Sequence, residues 1–455
     1  MSRVLVLGAG FGGVQLVRSL ERLVRHDPSV EITLVNRSNY MIFTPLLPEV
    51  SGNAIEERHA VLPLRDCLHK ARFHQGEIRD IDIRKQMVML EHADGELVEL
   101  PYDYLAIALG SVTNYRKAPG ALEHSYDLKS LSDAIRLRNH ILAMLELADV
   151  TTDPEQKKAL LTFVGVGGGY AGVEGLGLMV DFVEKALQFY PNIKWSECRF
   201  ILATRGRQLL ESLEDSLSDY VIEKLEARGV EVRLGETCTA VTETSAELSP
   251  GGSLPTYTVL WAAGVSVNPL VPQIDLPKNQ WNLLEVDSSL RVKGHRNIFA
   301  LGDCAAVPKA DGFYPPTAQN ATREGAVAAH NIVATMRGTT LRPFIYHSVG
   351  SLASIGRYQA VAQIMGIPIA GFPAWLMWRA IYLMKMENLS RQIRVLFDWA
   401  LELVLPSDTV QFRVQPNDDL LFLQPPRNPL PGQMIEPAPS DIQKPIPDQT
   451  KTTQA

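Results

Sequence analysis

The chain opens on a short apolar run, residues 3–7, of the kind carried by a strand buried on both faces. A glycine-dense turn, Gly8-Ala9-Gly10-Phe11-Gly12-Gly13, follows, then a helix-period stretch over 14–26 and a second apolar run over 30–35. Residues 73–100 alternate apolar and polar positions and predict antiparallel hairpins. Residues 104–109 predict another buried strand, ended by Gly110. The pattern then recurs. Residues 160–166 are apolar, Gly167-Gly168-Gly169-Tyr170-Ala171-Gly172 is a second glycine turn, 173–190 has helical period and 198–203 is the next strand. Two further apolar strands end at glycines: 259–262 before Ala263-Gly264, and 297–301 before Gly302-Asp303. Past Arg342 the character shifts to Trp- and Met-rich apolar stretches over 372–386 and 393–405. From 411 to 455 proline is dense, which predicts a largely disordered tail or an extended strap.

Strand, glycine turn, helix, strand gives the glycines physical work. The first permits the tight turn, the second admits a pyrophosphate to the backbone, and the third lets helix and strand pack closely. The phosphates then face free N–H groups at a helix N-terminus. One such turn is weak evidence, because a plain glycine-rich turn looks alike. Two in series, each with its strand, helix and following strand, predict two bound dinucleotides. The expected fold is therefore α/β, with two Rossmann-like domains and a C-terminal helical, membrane-associated region. The first domain is expected to be discontinuous, over 1–155 and 286–345. The second spans 156–285, the C-terminal region 346–410 and the tail 411–455.

The bulk properties narrow the function classes. A chain of 455 residues exceeds one ordinary core. A net charge of -7 argues against a nucleic-acid partner. Cys67, Cys198, Cys238 and Cys304 form no Cys-x-x-Cys pair, which suits a reducing compartment and removes the usual dithiol signal. His59, His69, His74 and His140 have no ligand spacing, so no metal site is expected. The first strand begins too early to leave room for a secretory signal, and no apolar run is long enough for a membrane span. The expected location is the cytoplasmic side of a membrane.

With both glycine turns in place, Asn297-Ile298-Phe299-Ala300-Leu301-Gly302-Asp303 resembles the second FAD motif of the two-dinucleotide flavoproteins. More narrowly, the chain from Arg3 to about Phe412 resembles the type II NAD(P)H:quinone oxidoreductases, single-subunit respiratory dehydrogenases that pump no protons. The stretches that carry the likeness are quite specific. They are Tyr40-Met41-Ile42-Phe43-Thr44-Pro45-Leu46-Leu47-Pro48-Glu49-Val50, Trp261-Ala262-Ala263-Gly264, Pro315-Pro316-Thr317-Ala318-Gln319 and Gly350-Ser351-Leu352-Ala353-Ser354-Ile355-Gly356. The resemblance implies FAD, a nicotinamide donor, a quinone acceptor and attachment to a membrane face, with a homodimer as one option for the assembly. It implies FAD contacts from Gly8, Gly10, Phe11, Gly12, Gly13, Asn36, Arg37, Thr44, Pro45, Ala108, Gly110, Gly302, Asp303, Ala318 and Gln319. For NAD(P)H it implies Gly167, Gly169, Gly172, Glu174, Thr204, Arg205, Arg207, Ala263 and Gly264. Glu174 and Gln319 are its catalytic candidates, the first shaping hydride transfer or relaying protons, the second bonding a quinone carbonyl.

Several positions depart from the pattern. The acid that usually binds the adenosine ribose is Asn36 at the first site and aligns with Thr204 at the second. Arg205 and Arg207 follow Thr204, and guanidinium forks suit a 2′-phosphate, so NADPH is expected to serve at least as well as NADH. A solvated basic turn is the alternative. After Gln319 the family's further glutamines give way to Arg323 and Glu324, either a buried pair that alters head-group choice or a solvated helix face. Glu174 can also be simply a stabiliser of a helix N-terminus. The 372–386 and 393–405 stretches read as interfacial amphipathic helices or as core helices of a soluble enzyme. Two other functions stay open on sequence alone: a reductase of a soluble electron carrier, and a non-catalytic flavin-binding redox sensor.

Overall fold

The computed structural model describes residues 1–386, 388–405 and 409–411. The expected strap over 411–455 therefore lies, from 412 on, outside the described residues. Two parallel sheets carry the glycine turns. In the first, the strand order is Ile298–Ala300, Tyr104–Ile107, Ser2–Leu7, Val30–Asn36 and Arg72–Gln75. In the second it is Thr258–Trp261, Thr162–Val166, Arg199–Thr204 and Val230–Leu234. Each sheet places its first strand between the second and a later one, Tyr104–Ile107 in the first sheet and Thr258–Trp261 in the second, so the strand order reverses beside the strand that ends in the glycine turn. Leu7 pairs with Val35 on one side and Ile107 on the other. Val166 pairs likewise with Ala203 and Trp261. Ligands bind at such a switch point, outside the C-terminal ends of the strands.

The strands are apolar without alternation because both faces are covered, by helices and, on the first sheet, also by residues such as Ile81, Val88 and Leu90 of the antiparallel strands. Val4 to Leu7 are all buried, as are all five residues of Thr162–Val166. On the first sheet the Phe11–Leu23 helix packs against Ala318–Arg337. The two backbones approach so closely that a Cβ on Gly325 would strike the Gly12 carbonyl oxygen. On the second, Tyr170–Ala186 and the long Leu131–Val150 helix supply the cover. A short antiparallel pair, Ser111–Thr113 with Val265–Val267, joins the two units.

Element boundaries move in one consistent direction. The helices expected over 14–26 and 173–190 begin at Phe11 and Tyr170, inside the glycine turns, and end at Leu23 and Ala186. Glycine lowers helix propensity, so the pattern placed the starts too late. Packing and the caps at Gly10 and Gly169 override it. The stretch expected as hairpins over 73–100 divides: Arg72–Gln75 is the fifth parallel strand, and Glu77–Asp82, Met87–Glu91 and Leu97–Pro101 form the antiparallel sheet.

The C-terminal part is a three-stranded antiparallel sheet, Gly350–Gly356, Gln359–Ile364 and Ile367–Ala370, followed by helices Phe372–Lys385 and Leu389–Val404. Among the described residues no helix is long and apolar enough to cross a membrane. Both helices have a buried face and an exposed apolar one. Trp375, Trp378, Val395 and Trp399 are buried in a core shared with Leu46, Leu47 and Val50. Phe372, Leu376, Met384, Leu389, Ile393, Leu396, Phe397, Leu401 and Val404 stand exposed on the outside.

Candidate functional site

The two glycine turns are near copies in space. Gly10 caps the Phe11–Leu23 helix at φ -78°, ψ -170°, and Gly169 caps Tyr170–Ala186 at φ -81°, ψ -177°. Neither cap receives a side-chain hydrogen bond, and neither first turn holds an acid. Each helix thus keeps free N–H groups and an uncompensated positive dipole end, which is what a pyrophosphate needs. The other glycines are fixed by crowding. A Cβ on Gly13 would land on the Gly8 carbonyl oxygen, and one on Gly172 would land on that of Gly167. At Gly10 and Gly169, by contrast, no atom lies within 4 Å of the place a side chain would occupy. The residues present therefore fit a dinucleotide at each turn.

Around the first turn the expected FAD residues converge. A Cβ on Gly12 would meet Leu301 and Ala321, and one on Gly8 would meet the Ala108 carbonyl, so the turn touches both the strand before Gly302-Asp303 and the helix after Thr317. Asn36 is partly committed within the fold. Its Oδ1 accepts from the Ala9 N–H at 3.0 Å, and its Nδ2 donates to the Ser38 carbonyl at 2.8 Å. Arg37 and Thr44 are exposed, and Pro45 is half-buried in the turn Thr44–Leu46. Gly110 and Gly302 both adopt positive φ, 69° and 71°.

A cavity of about 380 Å³ opens beside Gly302 and Asp303, with Ser111, Thr317, Asn320 and Glu324 also in its wall. Asp303 Oδ2 accepts from Ser111 Oγ at 2.6 Å, and Lys129 Nζ donates to the same hydroxyl at 3.0 Å. Burial lowers the pKa of Lys129, while Asp303 and Asp127 pull it back up. This Lys129–Ser111–Asp303 chain was missed in the sequence, because Lys129 precedes a helix in an unremarkable polar stretch. Neither alternative for Arg323 and Glu324 holds. Glu324 is buried and accepts from the Gly302 N–H at 2.7 Å, and burial pushes its carboxyl up to about 7. Arg323 turns away, donating to the Gln319 carbonyl at 3.0 Å with its guanidinium 4.1 Å from the centre of the Tyr346 ring. The Gln319 side chain accepts from Ser348 Oγ at 3.3 Å.

At the second turn, Gly167 lies against the Ala262 carbonyl and Gly168 against Thr204. Thr204 is buried, its hydroxyl accepting from the Gly206 N–H at 3.3 Å, and Arg205 and Arg207 flank it in solvent. Gly264 takes φ 128°, and Arg116 Nε donates to the Ala263 carbonyl at 2.6 Å.

Glu174 is not a surface stabiliser of its helix. It is 6% exposed, and its Oε1 accepts from the Ser354 N–H at 3.0 Å and from Trp378 Nε1 at 3.2 Å. Burial pushes its carboxyl up to about 8 against those two donors, with Glu49 raising it further. Arg379 is turned inward as well: it lies between the Trp375 and Trp399 rings and donates to Glu402 at 2.9 Å.

Two glycine-turn helices thus lie on two parallel sheets, with a C-terminal unit packed on the Tyr170–Ala186 helix and on Leu46, Leu47 and Val50. Residues 2–325 match the pyridine nucleotide-disulphide oxidoreductases, and residues 348–405 match the NDH2 C-terminal domain. The type II NADH:quinone oxidoreductase NdhA of Mycobacterium tuberculosis is 32% identical over 88% of this chain and 86% of its own length. This chain belongs to the type II NADH:quinone oxidoreductase family. The demethylphylloquinone reductase NdbB of a Synechocystis species is 31% identical over 87% of this chain and 95% of its own. In fold, the family member from Plasmodium falciparum solved with NADH superposes with a TM-score of 0.82 at 21% identity, over 90% of this chain and 99% of that one.

Proposed function

We propose that this family member oxidises NAD(P)H through FAD and passes the electrons to a quinone at a membrane surface, without pumping protons. The observation that carries the reading is the pair of uncapped glycine-turn helices, one on each sheet, with Glu174 buried where the C-terminal unit closes over the second. FAD would be held by Gly8, Gly10, Phe11, Gly12 and Gly13 at the pyrophosphate, Asn36 and Arg37 at the adenosine, and Ala108, Gly110, Gly302 and Asp303 along the chain towards the ring. Thr44, Pro45, Ala318 and Gln319 would flank the ring. The flavin supplies a two-electron centre between donor and acceptor. The protein orients the partners, which turns an encounter into a local step. NAD(P)H would lie on Gly167, Gly169 and Gly172, with Ala263 and Gly264 towards the nicotinamide. We assign 1–155 with 286–345 to the FAD unit, 156–285 to the NAD(P)H unit and 346–410 to membrane association on the cytoplasmic side.

Three finer points belong to the same proposal. Arg205 and Arg207, exposed and with no acid at Thr204 to repel a phosphate, favour NADPH as a donor alongside NADH. Glu174, neutral through most of the physiological range, acts as the proton-bearing group beside the quinone, and Gln319 offers its amide to a quinone carbonyl. The exposed apolar face of the two C-terminal helices, with Arg394 among it and Lys385 at the end of the first, docks on lipid as an interfacial surface.

An anaerobic titration of the detergent-purified protein with NADPH and then NADH, followed by a short-chain quinone, tests the core of this. Bleaching of the flavin by either donor and its recovery on adding quinone is the expected result. Flavin that neither donor reduces would reject the enzyme reading in favour of a sensor.

A further inference from the structure

Each C-terminal helix sends one indole N–H to a buried carboxyl. Trp378, 1% exposed on the Phe372–Lys385 helix, donates to Glu174. Trp399, 3% exposed on Leu389–Val404, donates to Glu49 Oε2 at 2.8 Å. The two indole rings lie 6.2 Å apart, so they bridge the two acids. Glu49 is 2% exposed and sits on the Leu47–Ser51 turn, directly after the Thr44–Leu46 turn of the proposed flavin loop and packed on the Glu174 helix. The known chemistry of a hydride relay gives Glu49 no task.

We infer that Glu49 is a second acid of the quinone-reducing site, a positioning residue that restores to Glu174 the proton Glu174 passes to the quinone and is itself recharged from water. This rests on the quinone reading above. The balance shows why such a group is needed. NAD(P)H, quinone and one proton give NAD(P)⁺ and quinol. Two electrons leave the nicotinamide and two enter the quinone, whose oxygens both end as hydroxyls. The hydride accounts for one of the two hydrogens. The other is a proton, ultimately from water, that has to be ready in an interior from which water is largely excluded.

The surroundings of Glu49 favour its protonated form. Burial raises the Glu49 pKa, with Glu402 and Asp181 adding to the rise and Arg379 and the Trp399 N–H opposing it. A charge on Glu49 in turn raises Glu174. The other groups near the turn are already engaged: Arg138 of the Leu131–Val150 helix pairs with Glu57 at 3.4 Å, and His59 with Asp398 at 2.5 Å. Lys185 and Arg379 hold Glu402 ionised despite its burial. Two neighbouring acids that resist ionising together titrate as a unit, losing their protons in two separated steps.

The competing account is that Glu49 merely anchors Trp399. Glu49→Gln separates the two, because the amide oxygen still accepts the indole N–H while the titratable proton is gone. Trp399→Phe does the reverse. Stopped-flow measurement on the flavin-loaded protein follows bleaching by NADH and then reoxidation by a short-chain ubiquinone, from pH 5 to 9. For Glu49→Gln the ratio of reoxidation to bleaching rates is expected to fall at least about tenfold. The pH limb of reoxidation should move by more than about one unit. Reoxidation at the wild-type rate and pH profile overturns the inference, and a defect confined to Trp399→Phe does the same. Wild-type flavin that NADH bleaches and quinone fails to restore would remove the quinone reading, and this inference with it. Should Glu49→Gln lose its flavin, the wild-type profile decides: two coupled ionisations support the pair, and a single one overturns it.

Discussion

Glu174 carries a titration that stability itself can report. Between the ordinary glutamate value of 4.5 and about 8, the folded protein keeps a proton there that the unfolded chain has lost. The fold then binds more protons than the unfolded state, so this group's contribution falls as pH rises, by up to about 1.4 kcal/mol per unit. Glu174→Gln has no such window. Its stability relative to wild type should therefore climb from pH 5 to pH 8 and level off above, which thermal melts at several pH values would reveal. Flat differences across that range would mean that Glu174 is ionised in the fold. Quinone turnover of the same variant should drop at least about tenfold. The sequence made Glu174 visible because it stands two residues past the last glycine of a motif. Glu49 stayed hidden within an apolar turn, since its meaning comes from Trp399, 350 positions along the chain.

On the proposed assignment each helix start holds one nucleotide, and each can be disabled alone. Gly10→Val places a branched side chain in open space, so the helix should form and the protein should fold while losing bound flavin. Gly169→Val should leave the flavin in place yet abolish its bleaching by NADH. Absorbance at the flavin band before and after adding donor distinguishes the two, and flavin loss in Gly169→Val would contradict the assignment of the sites. At the end of the Arg199–Thr204 strand, Arg205→Ala with Arg207→Ala should raise the apparent KM for NADPH about tenfold or more, in line with the loss of charged phosphate contacts, and barely change that for NADH. Unchanged NADPH kinetics would make the two arginines a solvated turn. The elements themselves were readable because strand-turn-helix patterns are local. Their exact starts were not, since glycine's low helix propensity points the wrong way where a cap and tight packing prevail.

At the scale of the whole molecule, the repeat of one unit and the change of composition past Arg342 were enough to anticipate two nucleotide-binding sheets and an amphipathic end. The division of labour between the faces of that end was not, because helical period marks an apolar stripe without saying whether protein or lipid covers it. The difference matters for testing membrane attachment. Removing everything after Gly371 would strip Trp378 and Trp399 from the core and leave Glu174 and Glu49 without their indole donors, confounding anchoring with folding. Leu396→Glu with Phe397→Glu touches the exposed face alone. Those changes should release the protein from anionic vesicles in a sedimentation assay while NADH still bleaches the flavin. Full retention on the vesicles would place the attachment elsewhere.

The strand Ile298–Ala300 has a consequence for how the protein is made. It pairs with Tyr104–Ile107 at the edge of the first sheet, although the whole second sheet is synthesised between them. At a ribosomal pace of roughly 5 to 20 residues per second, the intervening stretch of about 190 residues takes on the order of 10 to 40 seconds. Throughout that wait the Tyr104–Ile107 strand offers an unpaired edge, and the Phe11–Leu23 helix lacks the Ala318–Arg337 helix that will cover it. The nascent chain thus exposes its first nucleotide fold, half-built, for longer than its second, and a partner that shields strand edges during synthesis would act on this protein early.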